Sequence, residues 1–139
     1  MASLSFVILY VGMTFPGKNH DYGMFKKEFN PSLNWFSTFN ILVDLGYMGF
    51  DKNYEVKSIL IPHKKPNKSK KNPNPQLTQT QKNENREMSG KRIIVENVIG
   101  GMKRFRCLVE RFRNHIPCVK DILILLAAGI WNFNIANRH

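Results

Sequence analysis

A strongly polar segment at residues 64–86 divides the chain of 139 residues and limits what it can fold into. The segment reads KKPNKSKKNPNPQLTQTQKNENR; Leu77 is its only apolar residue, seven residues are Lys or Arg, and three are Pro. Such a stretch cannot bury enough surface to offset the entropy lost on ordering it. We therefore predict a flexible basic loop at residues 64–76. A helix can begin near Leu77, with Thr78 as its N-cap.

The part of the chain before this segment contains short apolar runs that are typical of buried strands. Residues 5–13 (SFVILYVGM), 39–43 (FNILV) and 54–63 (YEVKSILIPH) are rich in Phe, Val and Ile. Between the first two runs, residues 20–29 carry aromatic side chains at spacings of three and four. That spacing predicts a short amphipathic helix with Asp21 as its N-cap.

The part after the segment has helical periodicity. Apolar residues recur every three or four positions over residues 89–113, and a mostly apolar helix is predicted at residues 121–134. Gly100 and Gly101 each weaken the first of these helices by about 1 kcal/mol relative to Ala. We therefore expect a kink or a close packing contact at the two glycines. The order of elements predicts an α/β protein with a mixed sheet and flanking helices.

The charge balance points to a polyanionic partner. Lys and Arg number 21 against 10 Asp and Glu, which gives a net charge of +11. Nucleic acid is the first candidate and an anionic membrane surface the second. The apolar run at residues 122–131 has ten residues, too few to span a bilayer, so we predict no membrane partner. Cys107 and Cys118 fit no zinc spacing with the histidines and are interpreted as buried or free thiols in a reducing cytoplasm.

Two acidic residues, Asp44 and Glu96, each allow two interpretations. Asp44 follows an apolar strand and precedes a glycine turn; sheets place ligand groups there, although a lone Asp more often only forms the turn. Glu96 interrupts an apolar helical stretch. It could pair with Arg92 one turn earlier, or it could bind a metal ion.

Four blocks of sequence follow one another along the chain. They are FPGKNHDYGMF with the pattern PG-x-x-HD, VDLGYMG with D-x-GY-x-G, PHKKP followed by LTQTQKNEN, and RIIVENVIGGMKRFRCL followed by RFRN. In this order they resemble the C-terminal part of the DDE-type transposases of bacterial insertion sequences. The matching positions outside the third block are Pro16, Gly17, His20, Asp21, Asp44, Gly46, Tyr47, Gly49, Arg92, Val95, Glu96, Ile99, Gly100, Lys103, Arg104, Phe105, Leu108, Arg111, Arg113 and Asn114.

The resemblance implies a ribonuclease-H-like fold in which three carboxylates hold two Mg²⁺ (or Mn²⁺) ions. Asp44 and Glu96 match the second Asp and the Glu, and are expected to be catalytic and metal-binding. The first Asp has no counterpart, because residues 1–20 contain no acid and Asp21 belongs to the turn motif. We therefore predict a partial catalytic domain over residues 1–139, incomplete at its N-terminal strand and inactive alone. His20 and Tyr47 either line the site or serve turn structure and packing, and Asp21 is associated with the turn motif.

The resemblance also implies DNA as the partner, specifically transposon ends, with a second copy or a full-length transposase as further partners. Phosphate contacts, or alternatively a solvated helix face, are expected from the basic residues Lys103, Arg104, Arg106, Arg111 and Arg113. In the basic loop, Lys64 and Lys65 either clamp DNA or keep the chain soluble. The family's activity is Mg²⁺-dependent DNA cleavage and strand transfer in transposition. The chain is predicted to be a truncated transposase in the bacterial cytoplasm, associated with the nucleoid. The alternative is a catalytically dead DNA-binding remnant that regulates transposition.

Overall fold

The computed structural model describes residues 1–15, 17–70, 73–110, 113, 116 and 118–138. It divides the chain into two compact units: the central unit, Gly17–Gly90, and the terminal unit, Met1–Pro16 with Lys91–His139. The elements in chain order are α1 (Asp21–Glu28), β1 (Phe36–Leu42), a 3₁₀ helix (Leu45–Tyr47), α2 (Phe50–Asn53), β2 (Val56–Leu60), α3 (Gln79–Met102), a second 3₁₀ helix (Arg106–Leu108) and α4 (Val119–Ala136). The predicted α/β class is confirmed.

The sheet of the central unit has two parallel strands, β1 and β2. Ile41 faces Ile59 and Leu42 faces Leu60, and the register shifts between Phe36 and Asn40. Parallel strands need a crossover, which here contains the first 3₁₀ helix and α2. The strands predicted at residues 39–43 and 54–63 are therefore confirmed. The predicted mixed sheet is not, because the described residues add only an isolated antiparallel bridge to this parallel pair.

An aromatic cluster forms the core of the central unit. Phe29, Phe36, Phe50 and Tyr54 are all less than a tenth exposed. The Phe25 ring lies within 6 Å of each of these four, with centroid separations of 4.8 to 5.7 Å. The aromatic spacing that predicted α1 thus packs one face of that helix against β1 and α2.

The N-terminus of α1 differs from the prediction in one respect. His20 occupies the N-cap position, with extended backbone and no hydrogen bond from its side chain, and Asp21 is the first helical residue. Asp21 is therefore not the N-cap. A carboxylate in the first turn still stabilises a helix, because it faces the positive end of the helix dipole.

The predicted strand at residues 5–13 is wrong. This segment takes part only in a single bridge, between Ala2 and Ile8. The side-chain amide of Asn132 on α4 binds both backbone groups of Ile8, with N to Oδ1 at 2.8 Å and Nδ2 to O at 2.9 Å. Phe6 has a φ of 64°, which interrupts the extended chain. Side chains therefore satisfy backbone groups that a neighbouring strand would otherwise bind.

The beginning of α3 was predicted correctly and its end was not. Thr78 Oγ1 accepts a hydrogen bond from the Gln81 amide at 3.2 Å, and Gln81 Oε1 accepts one from the Thr78 amide at 3.0 Å, which is a capping box. The helix ends at Met102 instead of continuing to residue 113. Just before this end, the Trp131 ring occupies the space beside Gly101: a Cβ on Gly101 would lie only 1.8 Å from Trp131 Cζ3. The expected close packing contact is thus confirmed.

Helix α4 is longer than the apolar run that predicted it. It has 18 residues and, by length and composition alone, it is long and apolar enough to cross a membrane. The ten-residue apolar run therefore underestimates the length of this helix, although core helices of soluble proteins meet the same criteria. Near its start, Cys118 is a free and exposed thiol, as is Cys107, so both cysteines are unpaired and neither is buried.

Candidate functional site

Asp44 lies two residues beyond the carboxyl end of β1 and is exposed. Its Oδ1 accepts a hydrogen bond from the Leu45 amide at 2.7 Å, so that the side chain caps the first 3₁₀ helix. Gly49 then takes the left-handed conformation, with φ of 84°, before α2 begins. The turn-forming role is confirmed. The carboxylate also stands at the end of a parallel strand, where α/β proteins bind ligands.

Tyr47 connects the first two sequence blocks. Its ring centroid lies 5.6 Å from that of Tyr22 and 5.8 Å from that of Phe25, both on α1. The 3₁₀ helix that follows Asp44 therefore packs against the helix that begins directly after His20. His20 is exposed at the start of α1, and its side chain makes no capping bond.

Burial and nearby negative charges both act on the pKa of the Tyr47 hydroxyl. Burial raises its pKa above the ordinary value of 10.0, and the charges of Asp21, Asp44 and Glu28 raise it further. All three carboxylates favour the neutral hydroxyl over a phenolate. The pKa of Tyr47 is therefore raised by burial and by these charges, and the Tyr47 hydroxyl keeps its proton over the ordinary pH range.

We expect Asp44→Asn to lower the pKa of Tyr47, because one of the charges that oppose the phenolate is removed. In the wild-type chain the unfolded state loses this proton first, since its pKa is the ordinary one. The contribution of the Tyr47 proton to the free energy of unfolding is therefore fully present below a pH of about 10. It is lost as the pH rises through the pKa of Tyr47 in the folded state. An NMR titration of the Tyr47 ring measures the change.

The matched control for this titration is Asp51→Asn. Asp51 raises the pKa of Tyr22 and does not act on Tyr47, so the Tyr47 titration should be unchanged in this variant. An unchanged Tyr47 titration in Asp44→Asn would show that the Asp44 carboxylate does not face the hydroxyl.

Glu96 lies on the exposed surface of α3. Its Oε1 is 3.7 Å from Arg92 Nη2, and the two side chains are 65% and 41% exposed. The predicted i, i+4 pair is therefore confirmed, and such an exposed pair contributes about 0.3–0.5 kcal/mol. Glu96 belongs to the terminal unit and Asp44 to the central unit.

The donor chemistry of Asp44 and Glu96 suits a hard cation, because Mg²⁺ prefers carboxylate oxygens. Within the parts of the chain that the structure describes, however, no group of three or more His, Cys, Asp or Glu side chains could hold a metal ion. The described residues therefore do not contain a complete three-carboxylate set.

The candidate DNA-binding residues that the structure describes are all exposed, namely Lys64, Lys65, Lys103, Arg104, Arg106 and Arg113. Arg111 lies outside the described residues. Arg106 is 87% exposed, but its Nε is 3.0 Å from Glu110 Oε1. That pairing was not predicted, and it offsets the charge Arg106 would offer to a phosphate. Exposure fits both the phosphate-contact interpretation and the solvated-face interpretation.

The sequence did not indicate which residues hold the chain directly before the basic loop at residues 64–76. Asn85 on α3 binds both backbone groups of His63: the His63 amide donates to Oδ1 at 2.8 Å, and Nδ2 donates to the His63 carbonyl at 3.1 Å. His63 Nε2 also lies 2.5 Å from Glu84 Oε2. All three residues fall in the third sequence block, PHKKP and LTQTQKNEN, but their place in that block does not indicate that they contact one another.

Comparisons with known proteins support the family resemblance that the four sequence blocks indicate. A family profile described as DDE superfamily endonuclease matches residues 2–132. A curated relative from Microchaete diplosiphon, named "Probable transposase for insertion sequence element IS702", is 32% identical over 120 residues, which are 86% of this chain and 39% of the relative. The chain thus spans well under half of that relative's length, and no solved structure matches. Because the profile covers nearly the whole sequence, the chain belongs to the DDE superfamily of endonucleases.

Proposed function

We propose that this chain is part of the catalytic domain of an insertion-sequence transposase with a ribonuclease-H-like fold. The family match over residues 2–132 carries the proposal. The relative named as a probable transposase supports it, as does the position of Asp44 at the carboxyl end of β1. The activity of the intact protein would be Mg²⁺-dependent cleavage and transfer of DNA strands at transposon ends.

In this proposal Asp44 and Glu96 are metal ligands. Bound divalent ions would activate the attacking oxygen and stabilise the leaving one. The Leu45 amide, at 2.7 Å from Asp44 Oδ1, would keep the Asp44 carboxylate oriented. We further propose that the domain is incomplete in residues 1–139. Among the residues that the structure describes the sheet has two strands, and residues 1–20 offer no third carboxylate, so we expect weak metal binding and no cleavage by this chain alone.

The partner in this proposal is DNA, contacted through the phosphate backbone. The net charge of +11 and the exposed Lys103, Arg104 and Arg113 support it. Such contacts release counterions, so affinity should fall steeply as salt rises. A DNA-bound protein of this family would work in the bacterial cytoplasm on the nucleoid, together with a second copy or a full-length transposase.

A metal titration tests the ligand assignment. We expect the wild-type chain to bind Mn²⁺ weakly, and Asp44→Asn and Glu96→Gln each to weaken that binding at least tenfold, because each removes a hard oxygen ligand. Glu110→Gln is the matched control; it removes an exposed carboxylate that is paired with Arg106, and Mn²⁺ affinity should not change. Equal Mn²⁺ affinity in all four proteins would contradict the assignment of Asp44 and Glu96.

The second candidate function is a non-cleaving DNA-binding regulator. It is favoured by the lack, among the described residues, of any group of three possible metal ligands. Salt-dependent binding of transposon-end DNA with no Mg²⁺-dependent nicking by this chain would support it. Nicking that is lost in Glu96→Gln would instead support a complete enzyme.

Stronger binding to anionic vesicles than to DNA would favour the membrane-surface alternative, for which α4 provides the apolar helix.

A further inference from the structure

A short basic stretch between β2 and α3 is both strongly charged and exposed. We name residues 64–70 the basic strap; it contains Lys64, Lys65, Lys68 and Lys70, all exposed, and lies outside the helices and strands. From residue 56 to residue 83 the sequence contains no acid. The strap therefore has four lysines and no acid within its own sequence.

The strap is fixed to α3 at its first end. Asn85 holds the backbone of His63, directly before the strap, by two hydrogen bonds of 2.8 and 3.1 Å. The pair of bonds imitates the pairing of a neighbouring strand and fixes both the position and the direction of the chain. Glu84, the preceding residue on α3, contacts the His63 ring at 2.5 Å. The strap thus leaves α3 at a defined point.

The chain is also held beyond the strap. Pro75 is among the most completely buried side chains of the described chain, with less than 2% exposure. Three residues later, Thr78 and Gln81 exchange the two hydrogen bonds that start α3. The chain is therefore held on both sides of the basic strap, close to the beginning of α3.

We infer that Asn85 is a positioning residue that holds the basic strap as a sequence-independent binding element for the phosphate backbone of nucleic acid. This inference rests on the proposed DNA-binding function and adds the element and the residue that presents it. Lysine ammonium groups bind phosphates as point charges without reading bases. An extended chain from Lys64 to Lys70 reaches at most about 20 Å, enough to follow several phosphates of one strand.

Nucleic acid fits the strap better than a lipid surface does. Membrane-surface segments combine basic residues with Trp, Phe or Leu side chains that enter the lipid. The strap contains none of these; its residues are Lys, Pro, Asn and Ser only. Holding the first end of the strap in advance also matters for affinity, because a segment that is already restrained loses less conformational entropy on binding.

The test compares Asn85→Ala with Asn83→Ala in the complete chain, using a DNA duplex over a range of salt concentrations. Asn83 lies on the same helix, and its side chain contacts Gln79 at 3.2 Å instead of the strap. We expect Asn85→Ala to weaken binding about tenfold through the lost pre-ordering, with an unchanged dependence on salt because the lysines remain. Neutralising the strap lysines to Gln should reduce the salt slope by about one per lysine.

A double-mutant cycle separates positioning from general damage to the fold. In a background with Lys64, Lys65, Lys68 and Lys70 changed to Gln, Asn85→Ala should have no further effect on DNA affinity. An equal loss in both backgrounds, or wild-type affinity in Asn85→Ala, would overturn the inference while the DNA-binding proposal stands. No duplex binding by the wild-type chain, or stronger binding to phosphatidylserine vesicles than to DNA, would overturn both.

Discussion

Gly101→Ala is expected to destabilise the chain by about 3 kcal/mol, the upper part of the usual range for overpacking. The added Cβ would lie 1.8, 2.4 and 2.6 Å from three ring carbons of Trp131, which is far inside van der Waals contact. The indole cannot easily withdraw, because its Nε1 donates a hydrogen bond to the Phe6 carbonyl at 2.7 Å. Urea unfolding followed by circular dichroism measures the change in the free energy of unfolding.

Gly100→Ala is the matched control, because it makes the same change one position earlier in α3. A Cβ on Gly100 would have no atom within 4 Å. The substitution should therefore stabilise the helix by up to about 1 kcal/mol through helix propensity alone. If Gly101→Ala and Gly100→Ala unfold at the same urea concentration, the contact between α3 and Trp131 is not as described.

The elements that periodicity predicted correctly are those whose signals lie within their own segments. The residues of α1, β1, β2 and the beginning of α3 carry the spacing, turn or capping signals that their own segments require. Residues 5–13 have the composition of a strand, yet the amide of Asn132 binds the backbone of Ile8. That partner lies 124 positions away, and no pattern within residues 5–13 indicates it. A strand depends on what lies beside it, which local propensity cannot show.

The same distinction applies to the candidate site. The position of Asp44 after a strand and the pairing of Arg92 with Glu96 follow from neighbouring residues, and the structure confirms both. The proposed roles of Asp44 and Glu96 as metal ligands came from the order of the four blocks and stay predictions. The Asn85 contact with His63 spans 22 positions and joins two polar residues of unremarkable type. Periodicity and charge analysis cannot detect such a contact.

Phe50→Ala should cost about 3–5 kcal/mol, as is typical when a buried Phe is truncated. Phe50 is 1% exposed, and its ring centroid lies 4.7 Å from that of Tyr54 and 5.7 Å from that of Phe36. Because Phe50 begins α2, directly after the turn that starts at Asp44, the loss should also loosen that turn. We expect a lower urea midpoint together with faster amide exchange at Leu45, whose N–H binds Asp44.

Phe39→Ala distinguishes the packing of Phe50 from the general effect of losing an aromatic ring. Phe39 lies in β1 but is 54% exposed, so its truncation should cost about 1 kcal/mol or less. Phe50→Leu keeps most of the buried volume and should fall between the two Ala variants. Equal losses in Phe39→Ala and Phe50→Ala would mean that the aromatic cluster does not form the core of the central unit. The turn that carries Asp44 would then have no rigid support.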